Sequence, residues 1–471
     1  MTTGAIVWFR QDLRLRDNPA LQAAAKLGGP IVPVYILCDA EEQDFAAGGA
    51  ARWWLHRSLA ALDDDLRSRG SRLSLMRGPA LECLREAASR SGAGAVFWNR
   101  RYEPAAVARD VEVKTQLRAD GLVAESFNGS LLREPWEIRN GTGHPYRVFT
   151  PFKRRVLEDL DPPAPLRVPS RWRAPRVWPE SLSLDDLQLL PAIEWYDTME
   201  RTWRPGEAGA HARLRSFVKK PLADYTKARD RPDQDGTSAL SPHLHFGEVS
   251  VRQVWHTLRA PRGKLRDSTF VSELLWREFA HHLIYHFPHT ALQPLDRRFE
   301  RFEWSGDAAH LRAWQRGCTG IPIVDAGMRQ LWATGWMHNR VRMIVASFLV
   351  KNLRIHWLEG ARWFWDTLVD ADLAANTLNW QWVAGCGADA APFFRIFNPR
   401  TQAGKFDPAG DYIRRWVPEL ARLAAPHVHA PHAAPAAALE AAGVRIGTTY
   451  PAPLVDLAES RQAALAAYQA L

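Results

Sequence analysis

Residues 5–19, Ala5-Ile-Val-Trp-Phe-Arg-Gln-Asp-Leu-Arg-Leu-Arg-Asp-Asn-Pro19, begin with an apolar run that reads as a strand and end on a helix start. Asn18 can cap a helix whose first position is Pro19, where a missing N–H costs nothing. Four more strand-like segments follow, at 31–38 (Ile-Val-Pro-Val-Tyr-Ile-Leu-Cys), 72–77, 95–98 (Ala-Val-Phe-Trp) and 122–127. Helical patterns lie between several of them: Trp54, Leu55, Leu59, Leu62 and Leu66 form a stripe, and Pro79 opens another helix. Strands alternating with helices predict a parallel α/β sheet over residues 1–133. The turn after the first strand has no GxGxxG, so a dinucleotide site of the usual Rossmann kind is not expected there.

The chain has 471 residues, more than one core usually holds, so two or three domains are expected. Hydrophobic content of 46% and charged content of 24% are globular values. A formal charge of +9 favours an anionic partner, nucleic acid first. Cys38, Cys83, Cys318 and Cys386 stand far apart without a CxxC pair, which argues against a disulfide framework or a zinc site and for a reducing compartment. No basic leader or long apolar span opens the sequence, and a soluble cytoplasmic protein is expected. Between 134 and 202 prolines cluster and regularity fades, as in a long connection between domains. From Pro205 the pattern is helical almost to the end, predicting an all-α domain over 203–471.

Within that helical part, Gly236-Thr237-Ser238-Ala239-Leu240-Ser241-Pro242 sets three hydroxyls beside a helix start, which suits a phosphate or a plain N-cap. Glu273, Trp276 and Arg277 share a helix face by their spacing, either as a surface ion pair or as the lining of a cavity that stacks and hydrogen-bonds a base. In Trp336-Met-His-Asn339-Arg340-Val-Arg342-Met343 a polar cluster heads an apolar helix; Arg342 needs an acid if buried, and Asp370 is the candidate. Asp370-Ala371-Asp372-Leu-Ala-Ala-Asn376-Thr-Leu-Asn-Trp380-Gln-Trp382 reads as a helix capped by Asp372, with Asn376 and Trp380 on one face and Trp382 on another. Nine of the 21 tryptophans fall between Trp304 and Trp382, either as core or as a series able to carry electrons.

Three long motifs, Val7 to Pro19, Thr319-Gly-Ile-Pro-Ile-Val-Asp-Ala-Gly-Met-Arg329 and Phe394-Arg-Ile-Phe-Asn-Pro399, resemble the photolyase/cryptochrome family, in particular its class I cyclobutane pyrimidine dimer (deoxyribodipyrimidine) photolyases. The resemblance spans nearly the whole chain. It implies an α/β fold with a Rossmann-like parallel-sheet antenna domain, joined by a long linker to an all-helical domain that holds a folded FAD. Tyr225, Thr237, Ser238, Ala239, Leu240 and Ser241 would hold the phosphates and ribityl chain, with Phe270, Arg277 and Arg342 near them. Asp370, Ala371 and Asp372 would border the isoalloxazine, and Asn376 would face its N5. Trp380, Trp357 and Trp304 are similar to the family's chain that reduces the flavin in light. Trp276 and Trp382 would wall the lesion cavity, Glu273, Asn339 and Met343 would touch the damaged bases, and Arg229, Arg340 and Arg395 the DNA backbone.

The implied activity is a carbon–carbon lyase reaction on ultraviolet-damaged DNA, driven by light through reduced FAD, in a monomer. The family's (6-4) members carry histidines at the positions of Asn339 and Met343, and its plant cryptochromes carry an acid at that of Asn376, so the resemblance favours dimer repair over a blue-light photoreceptor. Folate-binding members carry an Asn-Glu pair where Ala105-Ala106 stand and a lysine near Gln293. Those folate ligands are not matched, leaving a deazaflavin, another flavin or no second antenna chromophore.

Overall fold

The computed structural model describes residues 3–170, 172–219, 221–259, 268–390 and 394–471. Its first half is built on β1 (Gly4–Phe9), β2 (Ile31–Leu37), β3 (Ser74–Arg77), β4 (Ala93–Asn99) and β5 (Val123–Phe127). They form one parallel five-stranded sheet in the order β3-β2-β1-β4-β5. Every residue of β1 and β2 is buried, as a parallel sheet covered by helices on both faces requires. The crossovers are α1 (Pro19–Lys26), α2 (Gly49–Arg67), α3 (Ala80–Ser91) and α4 (Pro104–Ala119). Asn18 caps α1 by accepting the Leu21 N–H at 3.1 Å, and Trp54, Leu55, Leu59, Leu62 and Leu66 all lie on the buried face of α2. Strand order turns back between β1 and β4, so the ends of those two strands open a crevice, flanked by Arg10 and Arg101.

The linker is more regular than its prolines suggest. It contains α5 (Phe149–Glu158), which buries Phe149, Phe152 and Val156 at helical spacing against α6 (Thr269–His286). Farther on, the Leu182 N–H donates to the Leu75 carbonyl at 2.8 Å, so the linker covers edge strand β3 and leaves it no free edge to template aggregation.

The second half is helical. Its core is assembled from α7 (Pro322–Thr334), α8 (Asn339–Ser347), α9 (Trp357–Thr367) and α10 (Leu373–Ala384), with α6 in the adjoining apolar cluster. No helix among the described residues is long and apolar enough to cross a membrane.

Buried polar groups bolt the halves together. The Arg14 guanidinium donates to the carbonyls of Asp17, Gly129 and Gly247 at 2.6–2.7 Å. Trp54 Nε1 donates to Glu248 at 2.9 Å. Glu278, on α6, accepts the N–H groups of Leu132 and Arg133 at 2.9 and 3.3 Å. Burial pushes the Glu278 carboxyl from 4.5 up to about 7, even against nearby Arg277. The unfolded chain therefore loses its proton first, and stability falls as pH rises from about 4.5 to about 7 and then levels off. Glu278→Gln keeps an acceptor oxygen for these amides and is expected to remove that fall, roughly 3 kcal/mol. Urea unfolding at pH 5 and pH 8 measures it, and an unchanged slope in the variant would assign the titration to another group.

Candidate active site

The site grows from the start of α10. Asp370 accepts two bonds from Arg342 Nη2, at 2.8 and 3.0 Å, and Arg342 Nε also holds the Met337 carbonyl at 2.8 Å. The acid expected for Arg342 is the one it finds. Asp372 caps the helix by accepting the Ala375 N–H at 2.8 Å. Its other oxygen faces His281 Nε2 at 3.6 Å and His245 Nδ1 at 3.8 Å. Burial opposes ionisation of Asp372, but His281, His245 and Arg277 outweigh it and hold the carboxyl far below the usual carboxylate range.

One turn on, Asn376 Nδ2 donates to the Ala361 carbonyl of α9 at 3.0 Å. A carbonyl can only accept, so this contact fixes which end of the amide faces α9 and turns the Asn376 oxygen elsewhere. Trp380, the next residue on that face, lies on Gly360: a Cβ there would sit 2.1 Å from the indole. Trp357 is buried one turn back along α9, stacks on His356 at 5.8 Å, and His356 lies 4.9 Å from the partly buried Trp304. Trp380, whose ring meets Phe364 and Trp314, and Trp357 are both buried, and a histidine lies between Trp357 and the partly buried Trp304.

The cofactor candidates divide among several walls. A cavity of about 640 Å³ is lined by Thr237, Ala239, Arg213, Trp336, His338 and Arg415, among others. Arg213 braces its loop by donating to the Ser238 and Thr237 carbonyls at 2.7 and 3.1 Å, Ala239 is left-handed at φ 47°, and Ser241 Oγ accepts Trp336 Nε1 at 3.3 Å. Leu240 is buried behind them, while Tyr225 and Phe270 meet edge to face at 5.2 Å in the adjoining apolar cluster. Arg277 donates to the Ser130 carbonyl at 2.9 Å and, with Asp372, borders a small cavity shared with Asp12, Arg101 and Glu103. Ala371 belongs to a third cavity, beside Arg10, Glu42 and Arg109. These residues fit a flavin dinucleotide: the large cavity has a cofactor's dimensions, guanidinium groups suit phosphates, and His338 Nε2 is buried without a partner.

The DNA-facing candidates cluster more tightly. Glu273 pairs with Arg229, whose guanidinium lies 5.8 Å over the Tyr225 ring. Arg340 pairs with Asp230 at 2.8 Å and touches Met343 Sδ at 3.9 Å, and Asn339 is exposed at the head of α8. Burial raises the Glu273 carboxyl above its ordinary value against the pull of Arg229. Trp276 stacks face to face on Phe149, and Trp382 donates Nε1 to the Asp389 carbonyl at 3.1 Å with Arg395 over its ring at 5.7 Å.

Four participants escaped the sequence reading. His245 and His281 around Asp372, and His356 between two tryptophans, come from segments whose spacing announces nothing. Phe149 had a signal, the Phe149, Phe152, Val156 repeat inside a stretch taken as irregular.

Residues 5–170 match the family model described as DNA photolyase, and residues 270–470 match that of the FAD binding domain of DNA photolyase. A deoxyribodipyrimidine photo-lyase of Agrobacterium fabrum is 50% identical, the alignment covering 100% of this chain and 98% of that protein. The chain belongs to the photolyase/cryptochrome family. Its helical half is therefore the FAD-binding domain, and its parallel-sheet half the DNA photolyase domain. The crystal structure of a class III photolyase from Agrobacterium tumefaciens is similar with a TM-score of 0.96 at 50% identity, over 100% of this chain and 98% of that one. Cryptochrome-1 of Arabidopsis thaliana is 40% identical over 97% of this chain and 69% of its own.

The Trp380 contact makes a sharp test within this family member. Gly360→Ala is expected to destabilise the protein by about 1–3 kcal/mol through overpacking, and the penalty should largely vanish in a Trp380→Leu background. Denaturant unfolding of the two single variants and the double variant gives the coupling; additive losses would mean that Trp380 does not rest on Gly360.

Proposed function

We propose that the protein is a deoxyribodipyrimidine photo-lyase that uses light to split cyclobutane pyrimidine dimers in ultraviolet-damaged DNA. The observation that carries this reading is the grouping of Glu273 and Trp276 on α6 with Arg340 and Met343 on α8, tied together by Arg229 and Asp230. That face offers indole for stacking, a carboxyl that burial pushes toward its protonated form, and guanidinium for phosphate. The Agrobacterium relative, matched over 98% of its length, supports the same reaction.

When bound in its reduced form and excited by light, FAD would lend the dimer the electron that opens the cyclobutane ring and take it back once the two pyrimidines have parted. The residues of this chain do the rest. The Thr237–Ser241 loop, braced by Arg213, holds phosphate oxygens, and the Arg342–Asp370 pair fixes the strand of chain that leads into α10. The Asn376 nitrogen is tied to Ala361, so its oxygen would be the end available to accept a hydrogen bond from a bound flavin. Trp276 and Trp382 receive the extruded dimer, whose poor stacking in the duplex lowers the cost of flipping it out. Glu273, where it carries a proton, would donate to the dimer as negative charge develops on it. Trp380, Trp357 and Trp304 would be the residues that carry electrons inward from the surface to the flavin. Arg229, Arg340 and Arg395 contact phosphates, which makes affinity fall with salt.

The division into an antenna domain over 1–133, a linker over 134–202 and a catalytic domain over 203–471 belongs to this proposal, as do a cytoplasmic location and a monomeric state. At the level of subclass, the likeness to the class III crystal structure supports class III, and the class I placement expected from the motifs gives way to it. A second, light-harvesting pigment would occupy the cleft between the halves, about 210 Å³ and lined by Glu42, Arg101, Ala105, His289, Gln293 and Trp365. Ala105 and Gln293 line that cleft with no Asn-Glu pair or lysine in their places, so a folate held by those ligands is not the proposal. The match to a plant cryptochrome supports the photoreceptor reading, and Asn376, where such proteins carry an acid, favours repair.

Purified protein with its flavin reduced should restore intact thymines in dimer-containing oligothymidylate under visible light; no restoration rejects the reading. Trp276→Ala or Trp382→Ala should weaken binding of that oligonucleotide by about 1–3 kcal/mol through lost stacking. Trp357→Phe should slow light-driven flavin reduction, followed by absorbance, and leave binding unchanged.

A further inference from the structure

Trp276 and Trp382 stand on different helices, and one residue reaches both. Asp389 follows the end of α10 in a left-handed conformation, φ 54°, which residues other than Gly, Asn and Asp seldom adopt. Its carbonyl accepts Trp382 Nε1 at 3.1 Å. Its half-buried carboxylate lies against the backbone N–H of Phe149, the first residue of α5. The Phe149 ring is stacked on Trp276, with centroids 3.6 Å apart and planes 9° from parallel.

The start of α5 explains why an acid is wanted there. Its N-cap residue is Val148, whose side chain makes no capping bond, so the first N–H groups of the helix need an acceptor from elsewhere. Asp389 supplies one from far along the chain. Held by that contact, α5 keeps Phe149 flat against one indole while the same residue's carbonyl keeps the other indole from turning.

We propose that Asp389 is a positioning residue for lesion recognition, setting the separation and tilt of the two indoles between which the pyrimidine dimer lies. This rests on the repair reading, in which those indoles wall the cavity. Asp389 touches neither substrate nor flavin, so its loss acts on the affinity for damaged DNA and leaves the chemistry of the bound complex alone.

The decisive variants are Asp389→Gly, which tolerates the left-handed backbone and keeps the carbonyl but deletes the carboxylate, and Asp389→Asn, which keeps a side-chain acceptor. Binding to an oligonucleotide with one thymine dimer and to its undamaged twin is measured with FAD-loaded protein, together with splitting rate at saturating DNA. Asp389→Gly should bind the dimer about tenfold more weakly with undamaged binding, saturated rate and flavin photoreduction unchanged. Asp389→Asn should recover most of that loss. The proposal is overturned if Asp389→Gly binds the dimer as the wild type does, if both DNAs weaken equally, or if Asn restores nothing. Should Asp389→Gly fail to fold, Phe149→Ala decides by the same measurements, since it removes the support behind Trp276. A wild type that does not prefer damaged DNA would sink the repair reading instead, a result separable from these.

Discussion

The seam between α9 and α10 sets the geometry of the site. Two consecutive residues of α9, Gly360 and Ala361, receive two residues one turn apart on α10: Trp380 lies on the first, and Asn376 binds the carbonyl of the second. The absence of a side chain at Gly360 lets the helices approach until an indole rests on backbone, and at that distance the Asn376 amide reaches Ala361. Orientation of the Asn376 oxygen and placement of Trp380 are thus one packing event. Trp357, on the same face of α9 one turn away, inherits its distance from Trp380 through it.

What anchors α10 along its axis is electrostatic and comes from two histidines of its own half of the molecule. Asp372 caps the helix while facing His245 and His281, and Glu103 lies close enough to feel its charge. Glu103 pairs with Arg101, Arg101 with Glu42, and Glu42 with Arg109. Burial pushes the Glu42 carboxyl up, yet Arg101 and Arg109 prevail and hold it at about 2. Alternating buried charges of this kind add little net stability, but removing one member leaves its neighbour uncompensated. The row ends, at Arg101 and Glu103, on the small cavity that Asp372, His245 and His281 also line.

Much of this was legible in the sequence, for physical reasons that differ by element. The parallel sheet was readable because covered strands are apolar throughout and their crossovers carry the 3.6-residue stripe, as in α2. Asn18-Pro19 and Asp372 announced their caps, and Arg342 required an acid that Asp370 supplied, because a buried guanidinium leaves little choice. The fold class and the FAD-binding helical half followed from long ordered motifs. Contacts made by histidine were not legible: His245, His281 and His356 act through position in three dimensions, and a histidine's pattern in sequence does not separate packing from pairing. Nor was α5, since prolines on either side of it masked a short apolar repeat. The Thr237–Ser241 loop was found as a helix start with hydroxyls, but the brace from Arg213, on a neighbouring helix, needed coordinates.

Charge at the face proposed to meet DNA sharpens the mechanism. The arginines there are not idle: Arg229 holds Glu273 and Arg340 holds Asp230. The net +9 of the chain steers DNA toward the protein, but close binding must draw some of these guanidinium groups from carboxylate to phosphate. For Glu273 the exchange has a chemical consequence. Burial already raises its carboxyl, and Arg229 is the principal influence pulling it down. A phosphate that takes Arg229 would leave the partly buried Glu273 without its counter-charge, and desolvation would then favour the protonated acid. In the proposed mechanism that is the form able to donate a hydrogen bond to a dimer as it gains an electron, so arrival of the DNA backbone and readiness of the donor would be coupled through one guanidinium. Undamaged DNA makes the same exchange but puts no flipped base against Glu273, and selectivity returns to the pair of indoles.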